Sequence, residues 1–562
     1  MSESFDFVIV GSGGGSMCAA LMMRSAGKSA VVLEKTDMVG GTTSISGGVM
    51  WIPNNRFMRA DGIKDSEDQA MAYLDAVVGD SDDTPSAKRT KRLAYVRQSN
   101  EMLEFLISRG IKFRRNPYWP DYYDAPGSLA AGRTVSAQLF DVNRLGDWKD
   151  KMRPFMLPLP AYLDEAMGSL ANFKRSWAAR GVLLKVMGRA IGAKLKGQRL
   201  VTGGNAIQGQ MIEAALKAGV DIRLSSPVKR IVVEDGRAVG VIVEKDGAEQ
   251  RIDARLGILI NAGGYARNQQ MLDRYIPGMS ADNTNVSPGD TGEMIEAGGA
   301  VGAALVQMDG FIGGQVTLPP GSAGSPHKPM VQSDMAKPHV IVVDQNGERF
   351  LNESSNYTES TRAQLDRAKQ HPAIPSWMVF DSQYIDTYML AGTMAGAKKP
   401  QAWYDEGYLR QADSIEGLAA AIEIDPTKLR ATVDRFNGFV RNGRDEDFHR
   451  GESAFDKFSG DTLDKKSPSL GTIEKGPFYA IPVYPGDVGT FGGMLTDEYA
   501  RVLREDGSPI PGLYATGTSA ASVMGKASPA AGVNVGQSFT WGYVAAKHAA
   551  NLDNAAAAQA AE

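Results

Sequence analysis

A single cysteine, Cys18, stands in 562 residues. Its isolation excludes a disulfide framework, a thiolate metal cluster and a redox-active cysteine pair, and it points to a reducing compartment. Histidine is scarce too: His327, His339, His371, His449 and His548 show no ligand spacing, so no metal site is expected. No run of about 18 apolar residues occurs, which leaves no candidate for a membrane-spanning helix. Glu3 and Asp6 precede the first apolar run, unlike the basic-then-apolar order of a secretory leader, and a cytoplasmic location is expected. Charge of one sign is missing as well. With 61 basic and 65 acidic residues and a net charge of -4, no whole-chain field exists to gather nucleic acid. There is no Gly-x-Ser-x-Gly elbow and no lysine-bearing phosphate loop, so hydrolase and kinase chemistry have no footing.

What is present begins at the N-terminus. Phe7-Val8-Ile9-Val10 reads as a buried parallel strand, Gly11-Ser12-Gly13-Gly14-Gly15-Ser16 as a turn and helix start, and residues 17–26 as a helix that Gly27 ends. A second strand, 29–34, completes a βαβ unit. Gly11 permits the tight turn, Gly13 lets the backbone approach a pyrophosphate, and the helix N-terminus turns N–H groups and a positive dipole end towards that charge. Ser16 stands at the third small position. Glu34, beside Lys35, lies 21 residues after Gly13, where a carboxylate can accept from both ribose hydroxyls.

Two further passes select the dinucleotide. The segment Gly40-Gly41-Thr42-Thr43-Ser44-Ile45-Ser46-Gly47-Gly48 is too rich in Gly, Ser and Thr for regular structure and reads as a ligand-touching loop. Downstream, an apolar strand runs into Ala262-Gly263-Gly264, and another from Leu513 ends at Gly517-Thr518. A flavin needs several chain passes to enclose its ring, so FAD is expected rather than NAD. No second Gly-x-Gly-x-x-Gly is present for a nicotinamide cofactor, so electrons are expected to leave to an external acceptor: a quinone, a carrier protein or oxygen.

The chain exceeds what one hydrophobic core serves, and 43% apolar residues suffice to fill at least two domains. The expected class is α/β: a discontinuous Rossmann-like FAD-binding domain (1–270 and 475–562) with an inserted α+β catalytic domain (271–474). Residues 200–264 read as alternating strands, and 144–200 as a basic helical insertion. From Lys174 to Arg199 there are eight basic residues and no acidic one, with Leu184, Met187, Ile191 and Leu195 at helical spacing. Two readings stand for 174–199: a solvated face of an inserted hairpin, or peripheral docking at the inner face of an anionic membrane. The alanine-rich end, 554–562, is low-complexity and expected to fray.

Four motifs in one order carry a family resemblance: Gly40-Gly41-Thr42 with Ser46-Gly47, Pro120-Asp121-Tyr122-Tyr123, Asn352-Glu353-Ser354, and Gly512-Leu513-Tyr514-Ala515-Thr516-Gly517. The chain resembles the 3-ketosteroid Δ1-dehydrogenases, within the fumarate reductase and succinate dehydrogenase flavoprotein-like superfamily. The resemblance implies that a tyrosine or tyrosinate removes a proton from the carbon beside a steroid ketone while the next carbon gives hydride to flavin N5. That tyrosine is Tyr357 here, and its helper is Tyr122. It further implies two donors to the ketone oxygen from a Tyr-Pro-Gly-x-Gly turn, which reads Ser528-Pro529-Ala530-Ala531-Gly532 here. Gly532 keeps the N–H, but Ser528 replaces the tyrosine. A water or another tyrosine, Tyr484 or Tyr118, then restores the second donor, or the ketone is held differently. Succinate dehydrogenase flavoproteins attach their flavin through a histidine in the early loop; residues 42–46 have none, so the FAD is expected to be non-covalent. The expected reaction is 1,2-dehydrogenation of a 3-ketosteroid. The alternatives are 4,5-dehydrogenation of a 5α- or 5β-saturated ketosteroid, desaturation of another cyclic ketone, or flavin-dependent enoate reduction of the fumarate reductase type, for which no Arg and His motif is found.

Tyrosine's ordinary pKa of about 10 makes it a poor base at neutral pH unless neighbours stabilise its phenolate. A missing oxyanion donor is equally consequential, at roughly 3 kcal/mol in the transition state.

Overall fold

The computed structural model describes residues 3–154, 159–245 and 247–552, so the alanine-rich end at 554–562 lies outside the described residues. Strand β1 (Glu3–Val10) leads through Gly11, at φ 91°, into helix α1 (Gly14–Ser25), and β2 (Ala30–Leu33) follows parallel to β1. Side chains alternate along these strands. Phe7, Ile9 and Val32 face one core with α1, while Val8, Val10, Val31 and Leu33 face another, which is why the strands read as continuous apolar runs.

Gly40, at φ 114°, caps a five-residue helix, α2 (Gly41–Ile45), where the composition suggested a loop; β3 (Val49–Trp51) follows. Packing overrides composition at α2, because a Cβ on Gly204 would lie 2.0 Å from Thr43 O. Helix α3 (Trp177–Leu195) falls inside the basic stretch. Helix α4 (Gly203–Lys217) corrects the strand reading of its segment: Ile207, Met211, Ile212 and Ala215 are buried at helical spacing. Then come β4 (Asp221–Arg223), β5 (Val228–Glu234), β6 (Arg237–Lys245) and β7 (Ala248–Ile260).

The inserted part holds β8 (Val340–Val343), α5 (Tyr357–Ala368), β9 (Ser376–Asp381), β10 (Arg410–Ala412) and β11 (Phe478–Val483). Its four strands pair antiparallel in the order β8-β9-β11-β10. Strand β11 thus joins this sheet from beyond the boundary expected at residue 474. The chain then returns through β12 (Arg501–Leu503) and β13 (Pro509–Ala515) to a last helix, α6 (Val533–Ala549). In the large sheet the order is β12-β13-β7-β1-β2-β4. Its four inner pairings are parallel, β12 is antiparallel at one edge, and β6 and β5 extend from β7. Residues more than 500 positions apart therefore share one sheet. Among the described residues, no helix is long and apolar enough to cross a membrane.

Helices α1 and α6 cross at glycines. A Cβ on Gly14 would fall 2.0 Å from the Phe539 ring, and one on Gly542 would fall 2.3 Å from Gly15 O. Gly542→Ala is expected to cost about 1–3 kcal/mol by overpacking, and to lower flavin content because the contact seats the glycine turn. Thermal melts and the visible-to-ultraviolet absorbance ratio measure both; an unchanged midpoint with full flavin content would contradict this account.

Candidate active site

The glycine turn, the early helix and the returning segments meet at one place. Gly11 allows no side chain, since a Cβ there would lie 2.2 Å from Asn261 O. Gly13 caps α1, and a Cβ built on Gly41 would come within 3.7 Å of Gly13 Cα, so the two glycine segments touch. The Gly14 N–H donates to Thr43 Oγ1 at 3.2 Å, and Ser287 N donates to Thr42 Oγ1 at 3.0 Å. Ser46 Oγ ties back to Thr43 O at 2.8 Å and accepts from Gly48 N. Gly47 lies against Leu163, and Gly48, at φ 62°, lies against Gly203. Gly15 packs on Ser538 O, and Gly517 sits beside Asn261 Oδ1. The Ala262 N–H donates to Ser519 Oγ, which itself donates to Gly263 O, while a Cβ on Gly264 would meet Thr490. Thr518 places its methyl near Gly489.

Glu34 is buried at the end of β2. Its Oε2 accepts from Ser12 Oγ at 2.6 Å and Ser12 N at 3.2 Å, and its Oε1 accepts from Thr36 N and Oγ1, both at 2.9 Å. The Lys35 ammonium is engaged elsewhere, with Thr291 and Glu293.

The second half of the site is a tyrosine pair. Val49, Tyr122, Leu163, Phe455 and Ala531 form a buried apolar cluster against which Trp119 and Tyr357 pack. The Tyr122 and Tyr357 ring centroids are 5.8 Å apart at 82°, and Phe455 lies 4.5 Å from Tyr122.

A buried ionic group positions each tyrosine. Asp121 accepts from Trp51 Nε1 at 2.8 Å and from Arg133, whose other arm holds Asp65; Tyr122 N then donates to Pro529 O at 2.8 Å. Glu353, fully buried, takes Arg349 at 2.7 Å, Arg450 at 3.1 Å and Val342 N. Burial alone would raise its pKa, but the two guanidinium groups hold the carboxyl below its usual range. Asn352 bridges to Asp456, next to Phe455, and Asn356 caps α5 through Thr358 N and Glu359 N. Tyr357 is therefore the first residue of α5, where the helix dipole favours an anion.

Burial pushes the acidities of both tyrosines down, to different extents. Tyr122 is driven well above 10, by burial first and then by the neighbouring Tyr357. Burial also raises Tyr357, with the nearby Tyr122 and Ser528 hydroxyls opposing that rise. The opposing hydroxyls make Tyr357 the better placed of the two to lose its proton. Ser528 is 2% exposed, and its hydroxyl finds no partner at good hydrogen-bonding geometry among the described residues. Gly532, at φ 93°, caps α6 against Val49 O. Tyr118 is 69% exposed and lies outside the cluster, as does Tyr484, which is tied through its N–H to Val316 O.

Comparisons with known proteins bear on this geometry. Residues 6–535 match the FAD binding domain family. A 3-oxosteroid 1-dehydrogenase from Mycolicibacterium smegmatis is 39% identical, with 99% of this chain and 98% of that protein covered. A 4-oxocyclohexanecarboxylate 2-dehydrogenase from Sinomonas cyclohexanicum is 33% identical over 100% and 96%. The solved structure of a 3-ketosteroid Δ1-dehydrogenase from Sterolibacterium denitrificans, in complex with 1,4-androstadiene-3,17-dione, superposes with a TM-score of 0.91 at 34% identity, covering 98% of this chain and 100% of that one. The chain belongs to the FAD-dependent 3-oxosteroid dehydrogenase family.

For a member of that family the nucleotide cradle fits FAD. The glycines leave no room for side chains where a pyrophosphate must approach. The Ser12 and Thr36 hydroxyls on Glu34 can rotate away to admit ribose hydroxyls. Two groups missed in the sequence reading complete it: Gln208, whose buried Oε1 has no partner among the described residues, and Arg153. Arg153 donates from Nη2 to Thr36 Oγ1 at 3.1 Å while its buried Nε has no acceptor there. Neither stands in a glycine turn, so neither carried a local signal. Asn261, by contrast, directly precedes Ala262-Gly263-Gly264. Arg153→Met should weaken FAD retention about tenfold or more, since one charge-assisted hydrogen bond is worth roughly 1.5–3 kcal/mol. Titration of deflavinated protein with FAD reads this; an unchanged Kd would remove Arg153 from the site.

Proposed function

We propose that the protein desaturates a 3-ketosteroid between C1 and C2, with Tyr357 as the base. The observation that carries this reading is the unequal tyrosine pair set in an apolar pocket beside the Gly532 N–H. Tyr357, as phenolate, takes the proton from C2, next to the ketone. Tyr122 stays protonated and steadies that phenolate. The Gly532 N–H donates to the ketone oxygen as enolate charge builds there, and the Ser528 hydroxyl, or a water it holds, is the second donor. Bound FAD supplies the hydride acceptor for C1. The apolar walls, Val49, Leu163 and Phe455, keep water from the C–H being broken and suit a steroid ring.

FAD is held non-covalently in this proposal, by the Gly11–Ser16 turn, Glu34, Arg153 and the Gly40–Gly48 segment, because no histidine stands in that early segment to form a flavin link. The flavin domain is 1–270 plus the returning chain from β12 onward, since β11 pairs within the inserted sheet and residues 487–494 pair with 305–313. Electrons pass on to a quinone-class acceptor, and the protein works in the cytoplasm with peripheral contact at the inner face of the membrane through 174–199. A second reading keeps the chemistry and changes the ketone, to a 5α- or 5β-saturated ketosteroid desaturated at the 4,5 position or to a smaller cyclic ketone. The short Ser528 side chain favours it by widening the pocket where the ketone sits.

Tyr357→Phe should abolish turnover of a Δ4-3-ketosteroid while FAD stays bound. Because Tyr357 works ionised and its pKa lies above 10, kcat/KM should rise with pH. Tyr122→Phe removes a donor to that phenolate and should move the rising limb up by about 1–2 pH units. Full turnover by Tyr357→Phe would overturn the base assignment, and an unshifted limb would overturn the role of Tyr122.

A further inference from the structure

Two guanidinium groups at the nucleotide cradle meet no anion. Arg153 and Arg267 are half-buried, and each keeps a buried Nε without an acceptor among the described residues. There the Arg153 side chain reaches only Thr36 Oγ1, and that of Arg267 only the carbonyls of Ala281, Val286 and Pro326; neither makes an ion pair. Burial lowers the pKa of both, against the pull of Glu34 and Asp37 on the first and of Asp487, Asp290 and Asp282 on the second. His327 joins them. Its pKa is lowered by burial first and then by Arg267 and Arg153, so the three side chains lie within electrostatic reach of one another. Like charges gathered from three separate segments and left without a counter-charge suit a bound anion.

Their place in the fold says which anion. The backbone of Arg153 is tied to the early segment: its N–H donates to Val39 O at 3.0 Å, and its carbonyl accepts from Ser44 Oγ at 2.7 Å. Arg267 stands opposite. It holds Val286 O at 2.9 Å, in the loop whose Ser287 N–H donates to Thr42 and whose Gly289 lies against Lys35 and Thr36. The same early segment touches Gly13, in the dinucleotide turn, through Gly41. In oxidised FAD the diphosphate alone is anionic, and a guanidinium fork matches its paired oxygens.

His327 arrives on a loop that is firm at its base and free at its tip. The Thr317 N–H donates to Pro329 O at 3.0 Å and closes the neck of residues 318–328. Asn285 and Lys328 exchange two hydrogen bonds, at 2.7 and 3.2 Å, and the buried Lys328 ammonium donates to Ser322 O and Ser325 O, both at 2.9 Å. Gly321 and Gly324, at φ 85° and 72°, form the tip, where a Cβ would meet nothing within 4 Å. Arg267 joins this loop to the cradle through Pro326 O at 3.4 Å.

We infer that Arg153, Arg267 and His327 form a cationic clasp for the diphosphate of FAD, closed over the cofactor by the 318–328 loop. The test follows FAD release from the full-length holoenzyme, as the rise in flavin fluorescence after dilution, in the wild type, Arg267→Met and His327→Glu. Arg267→Met should release FAD about tenfold faster, the change expected for loss of one charge-assisted hydrogen bond. His327→Glu separates a ligand site from a structural cluster. A carboxylate there pairs with the two arginines, so a structural cluster would hold FAD at least as firmly, whereas a diphosphate site is filled by it. Release should therefore be about tenfold faster or more, with no fall in the thermal midpoint of the deflavinated protein. In both variants the visible spectrum and the flavin midpoint potential should stay at wild-type values, because the diphosphate is remote from the ring. Unchanged release from Arg267→Met, or unchanged or slower release from His327→Glu, would overturn the clasp. A shifted potential would overturn it too, by setting the cations against the ring, and so would faster release accompanied by a lowered midpoint in both variants.

Discussion

Everything in this molecule depends on the close crossing of its first and last helices. At Gly14, Gly15 and Gly542 the backbones of α1 and α6 approach until no side chain fits between them. Helix α1 begins at the dinucleotide turn, and α6 begins at Gly532 in the tyrosine site. The crossing therefore fixes the distance between the glycine turn at the start of α1 and the Gly532 N–H at the start of α6. A chain whose glycine turn and Gly532 lie over 500 residues apart gains one rigid frame by this means.

Within that frame, two buried ionic groups do for the tyrosines what the glycines do for the helices. Asp121 with Arg133 and Asp65 holds the loop that presents Tyr122. Glu353 with Arg349, Arg450 and Asp445 holds the loop that presents Tyr357 at the start of α5. Buried ion pairs add little net stability over apolar packing, but losing one partner leaves a charge in low dielectric. Their value here is geometric: each has several directional bonds that only one loop conformation satisfies.

Much of this was legible in the sequence, and the exceptions have physical reasons. Gly11 and Gly517 were readable because only glycine fits their backbone conformations and contacts. The motifs that singled out Tyr122 and Tyr357 also contain Asp121 and Glu353, which the structure shows as buried ionic anchors beside them. Helix α2 was misread as a loop because Gly, Ser and Thr disfavour helix locally, whereas its contact with Gly204 decides the matter. Helix α4 was misread as strand material because its opening glycines hid a helical period that starts only at Ile207. Arg153, Leu163 and Phe455 reach the site from separate segments, and nothing local to them signals that convergence. Strand β11 passed the expected domain boundary because pairing partners, not composition, assign a strand to its sheet.

The central claim is that a tyrosine pair and a flavin together remove hydrogens from C1 and C2 of a 3-ketosteroid. Anaerobic stopped-flow mixing of the holoenzyme with a Δ4-3-ketosteroid deuterated at C1 or at C2 tests it most directly. The account predicts bleaching of the flavin absorbance, slowed by deuterium at C1, with product unsaturated between C1 and C2. No bleaching by that steroid, with bleaching by its 5α-saturated analogue or by cyclohexanone instead, would contradict it.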